Sequence, residues 1–303
     1  MSATVSIIIP TACRTERASV LARAIDSVLL QEGVAVEAIV VVNGSRYDES
    51  VFSGLRQDPR LRIVLMKEGN VSLARYGGLR VVTSEFFGFL DDDDELLPGS
   101  IRTRVSLFRE REDADVVATN GYRHADGKDA PLVFPGRRGE ILADPGESLL
   151  RGNWFASPAP LFRARTVPAD LFNFPYRYLE MTYLFFLLLS RGVRFHYDES
   201  FSYRVFEGSE LSASRTLEYQ GAHLGMLKRL LEMSLAPAIR RSIRHKYLTA
   251  LNVASKSELD RGAIGKAWAY HFRCVASGGW RYIPYTRHLL RLRVRADVPG
   301  DES

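Results

Sequence analysis

The chain has 303 residues, 46% hydrophobic and 11% aromatic, which supplies enough apolar material for a large core and excludes a disordered chain. Its two cysteines, Cys13 and Cys274, lie far apart with no C-x-x-C spacing, which argues against a disulfide framework or zinc cluster and for a reducing, cytoplasmic setting. The net charge of +5 is segregated: residues 215–295 hold 16 Lys or Arg against 4 Asp or Glu, so the remainder is acidic.

The start of the chain runs directly into an apolar strand pattern at residues 5–9, with no basic-then-apolar leader. Short β-branched or aromatic runs at 5–9, 36–42, 62–67, 86–90 and 116–119 predict strands. Between them Leu21, Ile25, Val28 and Leu29, and then Ile101, Val105 and Phe108 behind Pro98, recur at helical spacing. Near-continuous apolar strands alternating with helices predict an α/β fold with a mainly parallel central sheet flanked by helices. Ligands of such sheets bind beyond the strand carboxyl ends, which here carry Pro10-Thr11, Asn43-Gly44-Ser45 and Asp91-Asp92-Asp93-Asp94. Residues 123–175 read as loops and short strands, with one strand at 159–162. A helix is predicted over 180–190, a strand over 193–197, and a helical C-terminal extension from about residue 214. The expected division is 1–205 and a basic 206–303.

Four aspartates closing a buried strand repel one another, and a divalent cation, Mn²⁺ or Mg²⁺, would offset that charge. In extended backbone Asp91 and Asp93, two apart, point the same way and can share one ion, leaving Asp92 and Asp94 to shape the turn and cap the next helix. The longest apolar cluster, residues 183–189, falls short of the roughly 20 residues a bilayer span requires.

In order and spacing, Val5-Ser-Ile-Ile-Ile-Pro-Thr11, Ala74-Arg75 with Gly78, Phe87-Gly-Phe-Leu-Asp-Asp-Asp-Asp94 with Pro98, and Tyr203-Arg204-Val205 with Gly208, Ser209 and Ser212 resemble the inverting glycosyltransferases of family 2, with the GT-A (nucleotide-diphospho-sugar transferase) fold. The resemblance covers roughly residues 3–212. It implies a UDP-, dTDP- or GDP-sugar donor at Thr11, Asn43, Arg75, Asp91 and Asp92, and a divalent metal at Asp91 and Asp93. The acceptor would be a glycan or lipid-linked hydroxyl. The family's base comes from a Glu-Asp pair at a helix start, which implies Glu180 here, with Met181 where the Asp would be. Among Met181, Leu184, Phe185 and Phe186, a desolvated Glu180 would be a stronger base. Four further departures stand out: Val42-Asn43 for two acidic residues, Phe206 for a histidine near the metal, Tyr76 for an Asn beside Arg75, and Asn70 where glycine is common. Asn tolerates the left-handed backbone a glycine would supply.

Trp154, with Phe155, Tyr176 and Tyr178, offers aromatic surface for an acceptor sugar. The tail interleaves Trp280, Tyr282 and Tyr285 with Arg281, Arg287, Arg291, Arg293 and Arg295, a composition suited to peripheral contact with an anionic membrane, at its inner face. A degenerate nucleotide-sugar-binding protein and a basic nucleic-acid-binding module are the competing readings. The acidic run repels nucleic acid, so no nucleic-acid partner is expected. A sugar-nucleotide pyrophosphorylase would need a Gly-rich phosphate loop after residue 9, and Pro10-Thr-Ala-Cys-Arg14 is not one.

Overall fold

In the computed structural model, which describes residues 5–206 and 217–290, Val5–Thr11 form strand β1 and every one of its side chains is buried. Helix α1 (Ala18–Leu29) turns Leu21, Ala24, Ile25 and Val28 inward, one face at a 3.6-residue period. Strand β2 (Val36–Asn43), helix α2 (Glu49–Gln57), strand β3 (Leu61–Met66), helix α3 (Val71–Leu79) and strand β4 (Phe86–Phe89) follow. Strands β3, β2, β1 and β4 are parallel neighbours in that order, so their carboxyl ends share one edge of the sheet. Pro10 lacks an N–H, and it sits past Ile8, where β4 pairing ends at Phe89.

Helix α3 lies unusually close to this sheet because Gly77 and Gly78 face it. A Cβ on Gly78 would come within 2.6 Å of Ile8 Cγ2, and one on Gly77 within 2.3 Å of Met66 Sδ. That approach sets the distance at which Arg75, on the same helix, meets the strand ends.

A two-residue strand β5 (Glu95–Leu96) and helix α4 (Ser100–Glu110) lead to β6 (Val116–Ala125), β7 (Lys128–Pro131), α5 (Arg138–Ala143), α6 (Pro145–Arg151), β8 (Pro160–Arg163), α7 (Glu180–Ser190) and β9 (Phe195–Phe206). The sheet continues β4-β8-β6-β9-β5, with β7 paired on β6. Here it departs from the mainly parallel expectation: β8 is antiparallel to both β4 and β6, and β5 to β9, while β6 and β9 are parallel. The β6–β9 register shifts around Asn120, where Gly121 makes room for the Tyr203 ring. Strand β5 pairs with Tyr203 and Arg204, which returns the end of β9 to the acidic run.

Beneath β4, β8 and α7, Phe87, Phe155, Phe162 and Phe185 are fully buried and ring-packed. Burying each such side chain is worth about 1.5–3 kcal/mol.

The residues group into two units, Met1–Arg215 and Thr216–Ser303. In the second, α8 (Leu217–Leu230), α9 (Pro237–Asp260) and α10 (Ile264–Ala276) are followed by a 3₁₀ segment, Trp280–Tyr285. Helix α9 buries Ile239, Ile243, Tyr247, Leu248 and Leu251, and Cys274 of α10 donates to the Leu248 carbonyl. Among the described residues no helix is long and apolar enough to cross a membrane.

Candidate active site

The four aspartates form a turn closed by Asp94 N–H donating to the Asp91 carbonyl at 3.1 Å, not an extended segment. Their carboxylates therefore diverge. Asp91 accepts from Arg75 Nη2 at 2.7 Å and from Ser157 Oγ at 3.1 Å. Asp92 accepts from Thr11 Oγ1 at 2.6 Å and from Arg17, whose Nη2 also lies 2.9 Å from Asp93. Asp94 turns inward and accepts from the Phe206 N–H at 3.2 Å. Burial raises the carboxyl pKa values of Asp93 and Asp94, and neighbouring carboxylates push the same way; Arg17 opposes this at Asp93. The helix-cap role expected for Asp92 and Asp94 is not seen, since β5 intervenes and Gly99, in left-handed conformation, precedes α4.

Arg75 is 3% exposed and holds two carboxylates at once. Nη1 donates to Glu180 Oε1 at 2.8 Å, while Nη2 serves Asp91 and, at 2.9 Å, Ser157 Oγ. Glu180 opens α7 directly after Leu179, whose φ of 58° turns the chain into the helix. The Glu180 head group, expected in an apolar setting, faces this guanidinium. Ser157 is held by its neighbour: the Pro158 carbonyl accepts at 2.8 Å from Arg104, buried on α4. Burial lowers the Arg104 pKa to about 10.

Two asparagines brace α3. Asn43 Oδ1 accepts from Asn70 N–H at 2.8 Å, and Asn70 Oδ1 accepts from Ser72 and Leu73 N–H as the helix N-cap. Asn70 has φ −148°, so its place is explained by capping, not by a left-handed backbone.

Residues 6–148 match the family described as "Glycosyl transferase family 2". The chain carries a family 2 glycosyltransferase domain. An uncharacterized glycosyltransferase of Rickettsia typhi is 26% identical over 263 residues, spanning 83% of this chain and 80% of that one. The succinoglycan biosynthesis protein ExoO of Rhizobium meliloti is 33% identical over 98 residues, 32% of this chain and 27% of that one. Among solved structures, S. aureus TarS 1-349 in complex with UDP-GlcNAc superposes with a TM-score of 0.59 at 15% identity, over 82% of this chain and 72% of that chain. The fold is GT-A, and the protein is a glycosyltransferase.

Within this glycosyltransferase, the parallel strand ends bring together Thr11, Asn43 and the acidic turn, and α3 and α7 bring Arg75 and Glu180 to it. Thr11 is 3% exposed and its hydroxyl is committed, donating to Asp92 and accepting from Cys13 N–H at 3.0 Å. Trp154 does not join them. It is 1% exposed, with Phe155, Phe185 and Tyr197 rings within 5.6 Å, so its faces are covered by core side chains and offer no stacking surface to a sugar. Phe155 is buried likewise, while Tyr176 and Tyr178 remain half-buried beside Glu180. Phe206 stacks under the Arg23 guanidinium at 3.8 Å, so a cation fills the expected histidine's surroundings. Gly208, Ser209 and Ser212 lie outside the described residues.

Sequence reasoning missed Arg17, Arg23, Arg104 and Ser157. Arg17 lies between the end of β1 and the start of α1, so its position past a strand end is a usable signal, whereas Arg23 lies within α1 and carries none. Arg104 occupies a position of the apolar stripe of α4, where the pattern calls for a hydrophobic residue.

Proposed function

We propose that this glycosyltransferase moves a sugar from a nucleoside-diphosphate sugar to a hydroxyl of a glycan or lipid-linked acceptor, with inversion. The observation that carries the reading is the Arg75 guanidinium, which ties the candidate base Glu180 to Asp91 of the acidic turn. The base and the donor-side carboxylate are thereby registered within one side chain's span, as a single displacement requires.

In the proposed step Glu180 takes the acceptor hydroxyl's proton while that oxygen attacks the anomeric carbon. The bond from that carbon to the diphosphate oxygen breaks, and the nucleoside diphosphate leaves with the electron pair. Glu180 afterwards gives its proton to solvent. Arg75 keeps the Glu180 carboxylate aimed, and Thr11 and Arg17 keep the turn from splaying. Asn43 lines the nucleotide end through the α3 cap.

The donor set suits Mn²⁺ or Mg²⁺: oxygen-only ligands, with half-buried Asp93 and buried Asp94 carboxyls whose mutual repulsion a cation offsets. Among the described residues no group of three or more His, Cys, Asp or Glu could hold a metal ion; Asp91 and Asp93, which the turn holds apart on Arg75 and Arg17, would have to swing together to share one with water and phosphate oxygens. When bound, the ion would offset charge on the departing diphosphate.

The helical unit is proposed to touch an anionic membrane surface peripherally, at the cytoplasmic face. Phe272 is 62% and Trp280 67% exposed, beside Arg273 and Arg281.

A thermal-shift panel of nucleoside diphosphates and nucleotide sugars, with and without Mn²⁺, tests the donor reading. A Tm rise with one nucleotide that needs Mn²⁺ supports it, because a ligand of the native state raises apparent stability. No shift with any nucleotide sinks it.

A further inference from the structure

We propose that the helical unit carries a binding site for a single-chain lipid phosphate, in the groove between α8 and α9, with Arg281 and Lys246 at its charged end. The proposal rests on, and deepens, the lipid-linked acceptor reading: it places the acceptor's anchor, not its sugar, on this unit.

The groove has a volume of about 500 Å³, inside the range of about 300–1,000 Å³ usual for small-ligand sites. Leu224, Ala250 and Val253 supply its apolar wall, and His223, His245 and Lys246 its polar side. Burial and the nearby Lys246 lower the His223 pKa, which favours its neutral form.

Arg281 adjoins the same residues. Its Nη1 and Nη2 each lie 3.2 Å from a ring nitrogen of His245, Nη2 donates to Thr249 Oγ1 at 3.0 Å and to the Tyr282 hydroxyl, and its Cζ sits 4.7 Å from the Tyr282 ring centroid. None of these partners is a carboxylate. The guanidinium is thereby oriented without having its charge neutralised by any of them. An oriented guanidinium that contacts His245 and Thr249 of a groove also lined by Lys246 is complementary, with the groove's aliphatic wall, to a phosphate bearing one hydrocarbon chain. Trp280 and Ile283, 67% and 46% exposed, flank Arg281 in the chain and provide apolar surface through which such a lipid could pass from a bilayer.

The test titrates the full chain with dodecyl phosphate below its micelle concentration, with dodecyl maltoside and inorganic phosphate as separate arms. Dodecyl phosphate is expected to bind saturably and about tenfold tighter than either other probe. Arg281→Gln, Ala250→Phe and Val253→Glu are each expected to weaken it by about fivefold or more. Val253 is 57% exposed, so its variant folds even if Ala250→Phe loosens the helix pair; far-ultraviolet circular dichroism checks both. Equal binding of dodecyl maltoside would show general detergent adsorption, and equal binding of inorganic phosphate would show an anion site without a chain; either overturns the proposal. So do displacement by an acidic peptide, wild-type affinity in the folded variants, and no binding at all. The nucleotide-sugar thermal shift reads the other unit and is expected to be unchanged in all three variants. If that shift is absent from the wild type while dodecyl phosphate binds, the donor reading fails and this site stands.

Discussion

Arg75 Nη1 donates to Glu180 Oε1 at 2.8 Å, and the same guanidinium reaches Asp91 at 2.7 Å. A lysine has one charged nitrogen and cannot hold both carboxylates in a fixed geometry. Arg75→Lys is therefore expected to lower kcat by about 100-fold while the donor-induced Tm shift is largely kept. Arg75→Met leaves both carboxylates unpaired. It should cost about 2 kcal/mol of stability, less than the ~3–5 of a fully buried pair because Asp91 is 38% exposed. Steady-state kinetics and urea unfolding check the two.

Ser157 joins Arg75 and Asp91 through one hydroxyl. Ser157→Ala removes about 1 kcal/mol of net hydrogen bonding and frees Asp91 to rotate. Weaker Mn²⁺ binding in the donor complex is expected, measured as a several-fold rise in the Mn²⁺ concentration for half-maximal Tm shift.

Gly78→Ala tests whether the approach of α3 to the sheet positions Arg75. The added methyl meets Ile8 and Val41 side chains at 2.6 and 3.0 Å, so the helix must move outward. Overpacking of this kind costs about 1–3 kcal/mol. Turnover should fall along with stability, whereas Gly54→Ala on α2, with open space at its Cβ, should leave both near wild type.

Asp129 ties β7 to β9, accepting from Arg204 Nη2 at 2.7 Å, and these contacts with Arg204 and then His124 hold its pKa at about 2. The folded value lies below the unfolded value of about 3.9, so the ion pair stabilises the native state above about pH 4. That contribution is lost as pH falls through about 2. Asp129→Asn should lower Tm at pH 7, with the difference from wild type shrinking steadily between about pH 4 and pH 2.

Much of this site was readable before any coordinates. Near-continuous apolar runs end in Thr11, Asn43 and Asp91, and a parallel sheet puts such ends on one edge, so their meeting follows from the pattern. Glu180 was legible as the first carboxylate of a strongly apolar helix. What the residues do to one another was not. The resemblance implies Arg75 at the nucleotide, and the sequence gives no sign that the same guanidinium also pairs with Asp91 and Glu180. Asp91 and Asp93 were expected to be aligned by extended backbone, and a turn separates them. Trp154 illustrates why: a sequence shows an aromatic ring but not which neighbours cover its faces. Ser157 carries no pattern of its own, and its neighbour Pro158 is held by Arg104, 54 residues from Pro158 in the chain.

The most direct test of the account is Glu180→Gln, with nucleoside diphosphate release from the nucleotide sugar found in the thermal-shift panel measured beside donor affinity. The substitution keeps the shape of the side chain and removes the base. The account predicts donor affinity within about threefold of wild type and turnover lower by at least about 100-fold. Turnover within a few-fold of wild type at unchanged donor affinity would contradict it.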